Sequence, residues 1–247
     1  MHSRYEVERV LSLVAEGWND CQISRATEIN RTTIREWRHQ GPPGRRSYRA
    51  SRCFICEGNP LDEPAYSYLL GIYLGDGYIS KEPRTYRLRI SQDQRYPELI
   101  NLARSSIARV LGGDLARVSL VHCVGCVAVS AHWSHWPCLF PQHGPGRKHQ
   151  RPIVLADWQS AIVEAYPRQL LRGLIHSDGC RVINRVWGDR YRYPRYLFTN
   201  TSKDILQIFR DACDAIGVEH RNSKPNTISV ARRNSVASLD AFIGPKA

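Results

Sequence analysis

Apolar and polar positions follow two different periods along this chain, and the changes of period divide it. Tyr5, Val7, Val10, Leu11 and Val14 fall at helical spacing between Tyr5 and Glu16, and Gly17 ends the run. A short helix is predicted over Cys21 to Thr27, capped by Asp20, with Ile23 and Ala26 as its apolar contacts. A third spans Arg31 to His39 behind Asn30, with Ile34 and Trp37 turned inward. Gly41-Pro42-Pro43-Gly44 then breaks the pattern and opens an extended basic segment. Helical spacing returns ahead of Asp76, where Glu63 and Pro64 suit a first turn. After Gly77 the period falls to two. A strand Tyr78-Ile79-Ser80 turns through Lys81-Glu82-Pro83 into a second strand. That strand puts Leu88, Ile90 and Gln92 on one face and Arg87, Arg89 and Ser91 on the other. Pro97 to Gly112 reads as an amphipathic helix, followed by a hairpin with arms near Ala116 to Val121 and Val127 to Ser130, and by an aromatic segment Trp133 to Phe140.

The same order then recurs. A helix from Trp158 to Tyr166 precedes Pro167, which opens the next helix, and strands follow at Arg181 to Trp187 and Tyr196 to Asn200. A helix over Asp204 to Gly217, a hairpin about Asn222 to Asn226 and a last helix over Ser235 to Phe242 complete the second half. Two stretches anchor the repeat: Leu69-Leu70-Gly71-Ile72-Tyr73-Leu74-Gly75-Asp76-Gly77 and Leu171-Arg172-Gly173-Leu174-Ile175-His176-Ser177-Asp178-Gly179. Matching residues keep nearly constant offsets: 178 − 76 = 102 for the acids, 200 − 92 = 108 for the amides Gln92 and Asn200, and 246 − 148 = 98 for the lysines Lys148 and Lys246. The chain therefore reads as a helical module over 1–40, a basic linker over 41–61, and one unit present twice, over 62–156 and 157–247.

In each anchoring stretch small residues sit four apart, Gly71 with Gly75 and Gly173 with Ser177, on one side of the helix. Glycine inside a helix costs about 1 kcal/mol relative to alanine, so the pattern calls for a compensating contact. The two helices are predicted to pack almost backbone to backbone. Each stretch ends in Asp-Gly, where the glycine suits a left-handed residue just past the helix end. The aspartate lies in the last turn, where the helix dipole disfavours a carboxylate. Packing the helices together brings Asp76 and Asp178 near each other, and a divalent cation would turn that liability into a site.

Charge narrows the partner. The chain carries a net charge of +12 with a pI near 9.6, which points to a polyanion, and nucleic acid is the expected one. The N-terminus lacks the apolar core of a signal peptide and no apolar run is long enough to span a bilayer, so an intracellular, cytoplasmic and nucleoid-associated protein is expected, with no membrane partner. The eight cysteines then read as reduced thiols or metal ligands rather than a disulfide framework. Cys53 and Cys56, followed by Gly58, have the form of half a zinc knuckle. The other ligands of a structural zinc ion are expected either from Cys123 and Cys126 or from the group His135, Cys138, His143 and His149. A pair of buried thiols at the domain junction is the alternative.

The paired stretches, with their flanks, resemble the LAGLIDADG homing endonucleases of the two-motif, single-chain type. The resemblance implies an α+β fold, with αββαββα built twice about a pseudo-two-fold axis, the motif helices between the halves, and a saddle-shaped antiparallel sheet. It also implies a monomer that binds double-stranded DNA site-specifically and cleaves phosphodiesters with Mg2+ or Mn2+. Asp76 and Asp178 would hold the metal with the backbone carbonyls of Gly75 and Ser177. Gln92 and Asn200 would order water, and Lys148 and Lys246 would stabilise charge or polarise the nucleophile. The arginine face of the strands, with Arg87, Arg89, Arg181, Arg185, Arg192 and Arg195, would lie in the major groove. The three N-terminal helices resemble a helix-turn-helix whose third helix presents Arg31, Thr32, Thr33, Arg35 and Arg38 to DNA. Arg45 and Arg46 of the linker would follow phosphates. The chain departs from the commonest motif at Leu74 and His176, where the family places a further aspartate, and at Asn200, where it places glutamine. A transcriptional regulator that keeps the fold only for binding is the competing reading. The helix-turn-helix favours the regulator, and the paired acid, amide and lysine sets favour the nuclease.

Overall fold

The computed structural model describes residues 4–40, 53–187 and 190–244. The chain forms two compact units, Met1–Ser51 and Arg52–Ala247. Arg45, Arg46 and Lys246 lie outside the described residues.

The first unit holds α1 (Arg4–Ala15), α2 (Asp20–Thr27) and α3 (Arg31–Gln40) around a small core of Val10, Ile23, Ile29, Ile34 and Trp37. Its second helix starts one residue earlier than the sequence pattern placed it. Asn19, not Asp20, is the cap: its side chain accepts from the amides of Cys21 and Gln22, both at 3.0 Å, and the Gln22 side chain accepts from the Asn19 amide at 2.9 Å. Asp20 is thereby released to accept from Arg38 Nε at 2.9 Å. Asn30 caps the third helix as expected, accepting from the Thr32 amide at 3.0 Å.

The second unit opens with the four-residue α4 (Phe54–Glu57). It continues with α5 (Glu63–Asp76), the hairpin β1 (Gly77–Glu82) and β2 (Thr85–Asp93), α6 (Pro97–Val110), the hairpin β3 (Ser119–Cys123) and β4 (Cys126–His132), and a short α7 (Trp136–Leu139). The second half comprises α8 (Asp157–Ala165), α9 (Pro167–Asp178), β5 (Gly179–Val186), β6 (Tyr191–Thr199), α10 (Lys203–Ala215), β7 (Arg221–Lys224), β8 (Thr227–Val230) and α11 (Arg233–Ile243). Each half forms a four-stranded antiparallel sheet of the same order, β1-β2-β4-β3 and β5-β6-β8-β7. The repeat holds at the level of register: Gly77 pairs with Ile90 and Gly179 with Phe198, so Gln92 and Asn200 take equivalent places. The second hairpin reaches further before turning, which accounts for the larger offset between the amides than between the acids.

α5 is apolar on every side, and each residue from Ala65 to Leu74 is buried. A helix of that kind belongs in the middle of a core. Asp62 caps it, accepting from the Ala65 amide at 3.0 Å, and Pro64 occupies its first turn. Leu88, Ile90 and Gln92 are buried on β2, and Tyr196 and Phe198 repeat their places on β6. A buried polar chain ties the halves together. Gln142 donates to Gln159, Gln159 donates to the Tyr66 hydroxyl at 2.6 Å, and Tyr66 donates to the Leu139 carbonyl.

The two helix ends differ from expectation. Gly77 and Gly179 have φ −91° and −103°, extended conformations rather than left-handed ones. Space, not handedness, demands glycine there, because a β-carbon on Gly77 would lie 2.5 Å from Tyr73 Cα and one on Gly179 2.6 Å from Ile175 Cα. The chain leaves each helix straight into a strand, folding back over the helix's last turn. Among the described residues no helix is long and apolar enough to cross a membrane.

Candidate functional site

α5 and α9 meet through their small residues. A β-carbon on Gly71 would lie 2.5 Å from the Leu170 carbonyl oxygen, and one on Gly173 would lie 2.3 Å from that of Tyr68. At the next turn a β-carbon on Gly75 would fall 2.3 Å from Ser177 Oγ and 2.9 Å from Asp178 Oδ2. The predicted backbone contact therefore exists, and it sets Asp178 against the residue that precedes Asp76. Both carboxylates are half-buried.

Each acid has its own amide. Gln92 Nε2 donates to Asp76 Oδ2 at 3.1 Å, and Asn200 Nδ2 donates to Asp178 Oδ2 at 2.7 Å. The strand register decides this pairing, because it brings the end of the second strand of each hairpin back alongside the helix end. Asn200 is further fixed, its Oδ1 accepting from the Ser202 amide at 2.8 Å at the start of α10. Both ends of its amide are thus engaged. Ser177 Oγ is satisfied within its own helix, donating to the Gly173 and Leu174 carbonyls at 3.2 and 3.0 Å.

Lys148 lies in a short 3-10 turn, Lys148–Gln150, and reaches the same place. Its Nζ donates to the Tyr73 carbonyl and, at 2.9 Å, to the Gly75 carbonyl, closing the C-terminal end of α5 with a cation. Burial pushes its pKa down to about 8, against the opposing pull of Asp178 and Asp76. Beside it opens a cleft of about 350 Å³ lined by Gly75, Tyr78, Arg147, Lys148, His149, Asp178 and Asn200. Arg147 and His149 were not among the residues assigned to this site. The basic run around Lys148 was the signal that could have found them.

The Gly75 carbonyl accepts from the Lys148 ammonium, and both carboxylates act on that charge. An all-oxygen set of this kind fits a hard divalent cation such as Mg2+ or Mn2+. Leu74 and His176, where a further acid was absent from the motif, are buried in the core. His176 spends both ring nitrogens there, Nδ1 at 3.0 Å from the Tyr68 hydroxyl and Nε2 at 2.9 Å from the Ile243 carbonyl. Leu74 forms part of the apolar lining of the cleft, and His176 is not among its lining residues.

The arginines divide. Arg87 and Arg89 stand on the face of β2 opposite Leu88 and Ile90. Arg195 is the repeat equivalent of Arg87, since 195 − 87 = 108, the offset between the two amides. The Nε groups of Arg87 and Arg195 are both buried with no hydrogen-bond acceptor among the described residues. Arg185 and Arg192 are exposed and face each other in the register of β5 and β6. Arg181, by contrast, is held in an ion pair with Asp240 of α11 at 2.8 Å, and Asp240 also accepts from the Tyr196 hydroxyl at 2.6 Å. In the N-terminal unit Arg31 and Arg35 are exposed with Thr32, and Thr33 is half-buried. Arg38 is turned onto Asp20 and the Trp18 carbonyl. Cys53 and Cys56 gather with His135 and Cys138 well apart in sequence, and Cys123, Cys126, His143 and His149 do not join them.

No family model matches the chain, and no curated protein matches it. Among solved structures it is similar to the homing endonuclease I-WcaI bound to its DNA recognition sequence, with 13% identity, 76% of this chain and 84% of that one covered, and a TM-score of 0.49. It is also similar to I-DmoI in complex with DNA and Mn, with 14% identity, 74% and 98% covered, and a TM-score of 0.45. A third is the LAGLIDADG meganuclease I-AabMI bound to uncleaved DNA, with 12% identity, 72% and 82% covered, and a TM-score of 0.45.

Proposed function

We propose that this protein binds double-stranded DNA and cleaves it at phosphodiester bonds with the help of Mg2+ or Mn2+, in the manner of the LAGLIDADG endonucleases that its paired motifs resemble. The observation that carries the reading is the meeting of Asp76 and Asp178 at the ends of two glycine-packed helices, each held by its own amide and both acting on one buried lysine. Fold stability gives no reason to collect two carboxylates at the negative ends of two helices. A divalent cation held there by Asp76, Asp178 and the Gly75 carbonyl would polarise the phosphate and acidify a water.

The chain's own groups then have defined tasks. Gln92 and Asn200 each fix one oxygen of a carboxylate. Lys148 brings a positive charge to the place where negative charge builds on the phosphate oxygens. A water oxygen forms a bond to phosphorus, the bond from phosphorus to the 3′ oxygen breaks, and that oxygen takes up a proton. Arg87, Arg89, Arg185, Arg192 and Arg195 supply phosphate and base-edge contacts along the strands. Arg31, Thr32, Thr33 and Arg35 of the N-terminal helices would act as a helix-turn-helix reading surface, with Arg38 supporting the helix from behind.

The same three helices favour a second reading, a regulator that binds and does not cut. One experiment separates the two. A library of randomised duplexes in Mg2+ or Mn2+ should yield a defined cleavage position with the wild type. Asp76→Asn combined with Asp178→Asn should still retard the selected duplex but leave it whole. Selection of a binding sequence that the wild type never cuts in either metal would establish the regulator.

A further inference from the structure

We propose that Cys53, Cys56, His135 and Cys138 form a tetrahedral zinc site that fastens the start of the second unit to the turn after β4. The four ligand atoms lie within 4.8 Å of one another. Cys56 Sγ stands 3.6 Å from Cys138 Sγ and 3.4 Å from His135 Nδ1, and Cys138 Sγ stands 3.7 Å from that nitrogen. Zinc–sulfur bonds of about 2.3 Å and zinc–nitrogen bonds of about 2.0 Å, set at tetrahedral angles, require sulfur–sulfur separations near 3.8 Å and sulfur–nitrogen separations near 3.5 Å. The three spacings among Cys56, His135 and Cys138 are close to those lengths before any ion is placed, and Cys53 lies within 4.8 Å of the other three ligand atoms. They are too long for a disulfide, whose sulfurs sit about 2.0 Å apart.

Local structure gives the same answer. α4 is one turn long, closed by bonds from the Glu57 amide to Cys53 and from the Gly58 amide to Phe54, with Gly58 at φ +64°. A single turn does not hold itself in water. Phe54 packs on Trp158 while Ile55 is exposed, so little apolar burial fixes the turn. Cys53 is nevertheless fully buried. Across from it, His135 and Cys138 flank the buried Trp136, which donates to the Ala131 carbonyl at 2.9 Å, so two of the ligands stand on a rigid part of the core. The sequence offered two partner sets for the first pair of cysteines. The site takes Cys-x2-Cys from one segment and His-x2-Cys from the other, a Cys3His set of the structural kind with no open position. The site serves folding and does not depend on the cleavage reading.

The test uses the full chain purified under reducing conditions with zinc in the growth medium. Metal analysis after exhaustive dialysis should find about one zinc per chain. Cys56→Ser with Cys138→Ser should lose it, and Cys123→Ser with Cys126→Ser should keep it. Because the first variant alters the core, the wild type is also stripped and reloaded with Co2+, which should give the intense thiolate-to-metal and tetrahedral ligand-field bands without any substitution. Substoichiometric zinc in the reduced wild type, a Co2+ spectrum lacking those bands, or an unchanged zinc content in Cys56→Ser with Cys138→Ser would overturn the proposal.

Discussion

Replacing Gly173 with alanine tests the contact on which the carboxylate pair depends. The added β-carbon would lie 2.3 Å from the Tyr68 carbonyl oxygen, 2.9 Å from Gly71 Cα and 2.9 Å from the Ile72 nitrogen, whereas ordinary contact begins at 3.4 Å. The shortfall is 3.4 − 2.3 = 1.1 Å, and all three obstacles are backbone atoms that cannot rotate away. The helices must therefore separate by about an ångström. Overpacking of this severity costs about 3 kcal/mol, at the upper end of the usual range. The better helix propensity of alanine returns about 1 kcal/mol. A net loss of about 2 kcal/mol is expected from urea denaturation. Gly144→Ala, whose β-carbon would meet nothing nearer than 3.5 Å, serves as the control, with a change within about 0.5 kcal/mol. The same displacement would spread Asp76 from Asp178, and a misplacement of about 1 Å lowers a reaction rate by about a hundredfold. A Gly173→Ala protein as stable as the wild type, or more stable by the propensity gain alone, would refute the close packing of α5 on α9.

Two other expectations follow from the buried polar groups. Lys148 has a pKa lowered from 10.5 to about 8 by burial, so between those values the unfolded chain binds more protons than the folded one and stability rises with pH. Wild type should therefore gain about 3 kcal/mol relative to Lys148→Met as pH rises from about 8 to 10.5, and urea midpoints for the two proteins that move in parallel would count against a buried ammonium. His176→Asp restores an acid that the commonest motif carries, but it places a carboxylate against the Ile243 carbonyl in the core. A loss of about 3 kcal/mol in unfolding free energy is expected, with no gain in Mg2+ affinity by calorimetry; tighter Mg2+ binding would show that this position faces the site after all.

The duplication was legible from residues alone, because hydrophobic period and glycine spacing are local properties that survive without knowledge of partners. Gly71, Gly75 and Gly173 announced a backbone contact since nothing else justifies their cost in a helix. The alternation of β2 likewise fixed which residues face inward. Other features depended on where the chain returns. The strand register, not the spacing, assigned Gln92 to Asp76 and Asn200 to Asp178. Asp240 pairs with Arg181, and Asp20 with Arg38, because an ion pair is formed between segments that the sequence leaves far apart. Gly77 and Gly179 were marked as glycines by the sequence, but only the fold supplied the reason, a strand doubling back over its own helix. The partners of Cys53 and Cys56 were ambiguous for the same cause: ligand chemistry is written residue by residue, while convergence within a few ångströms is set by packing around Trp136.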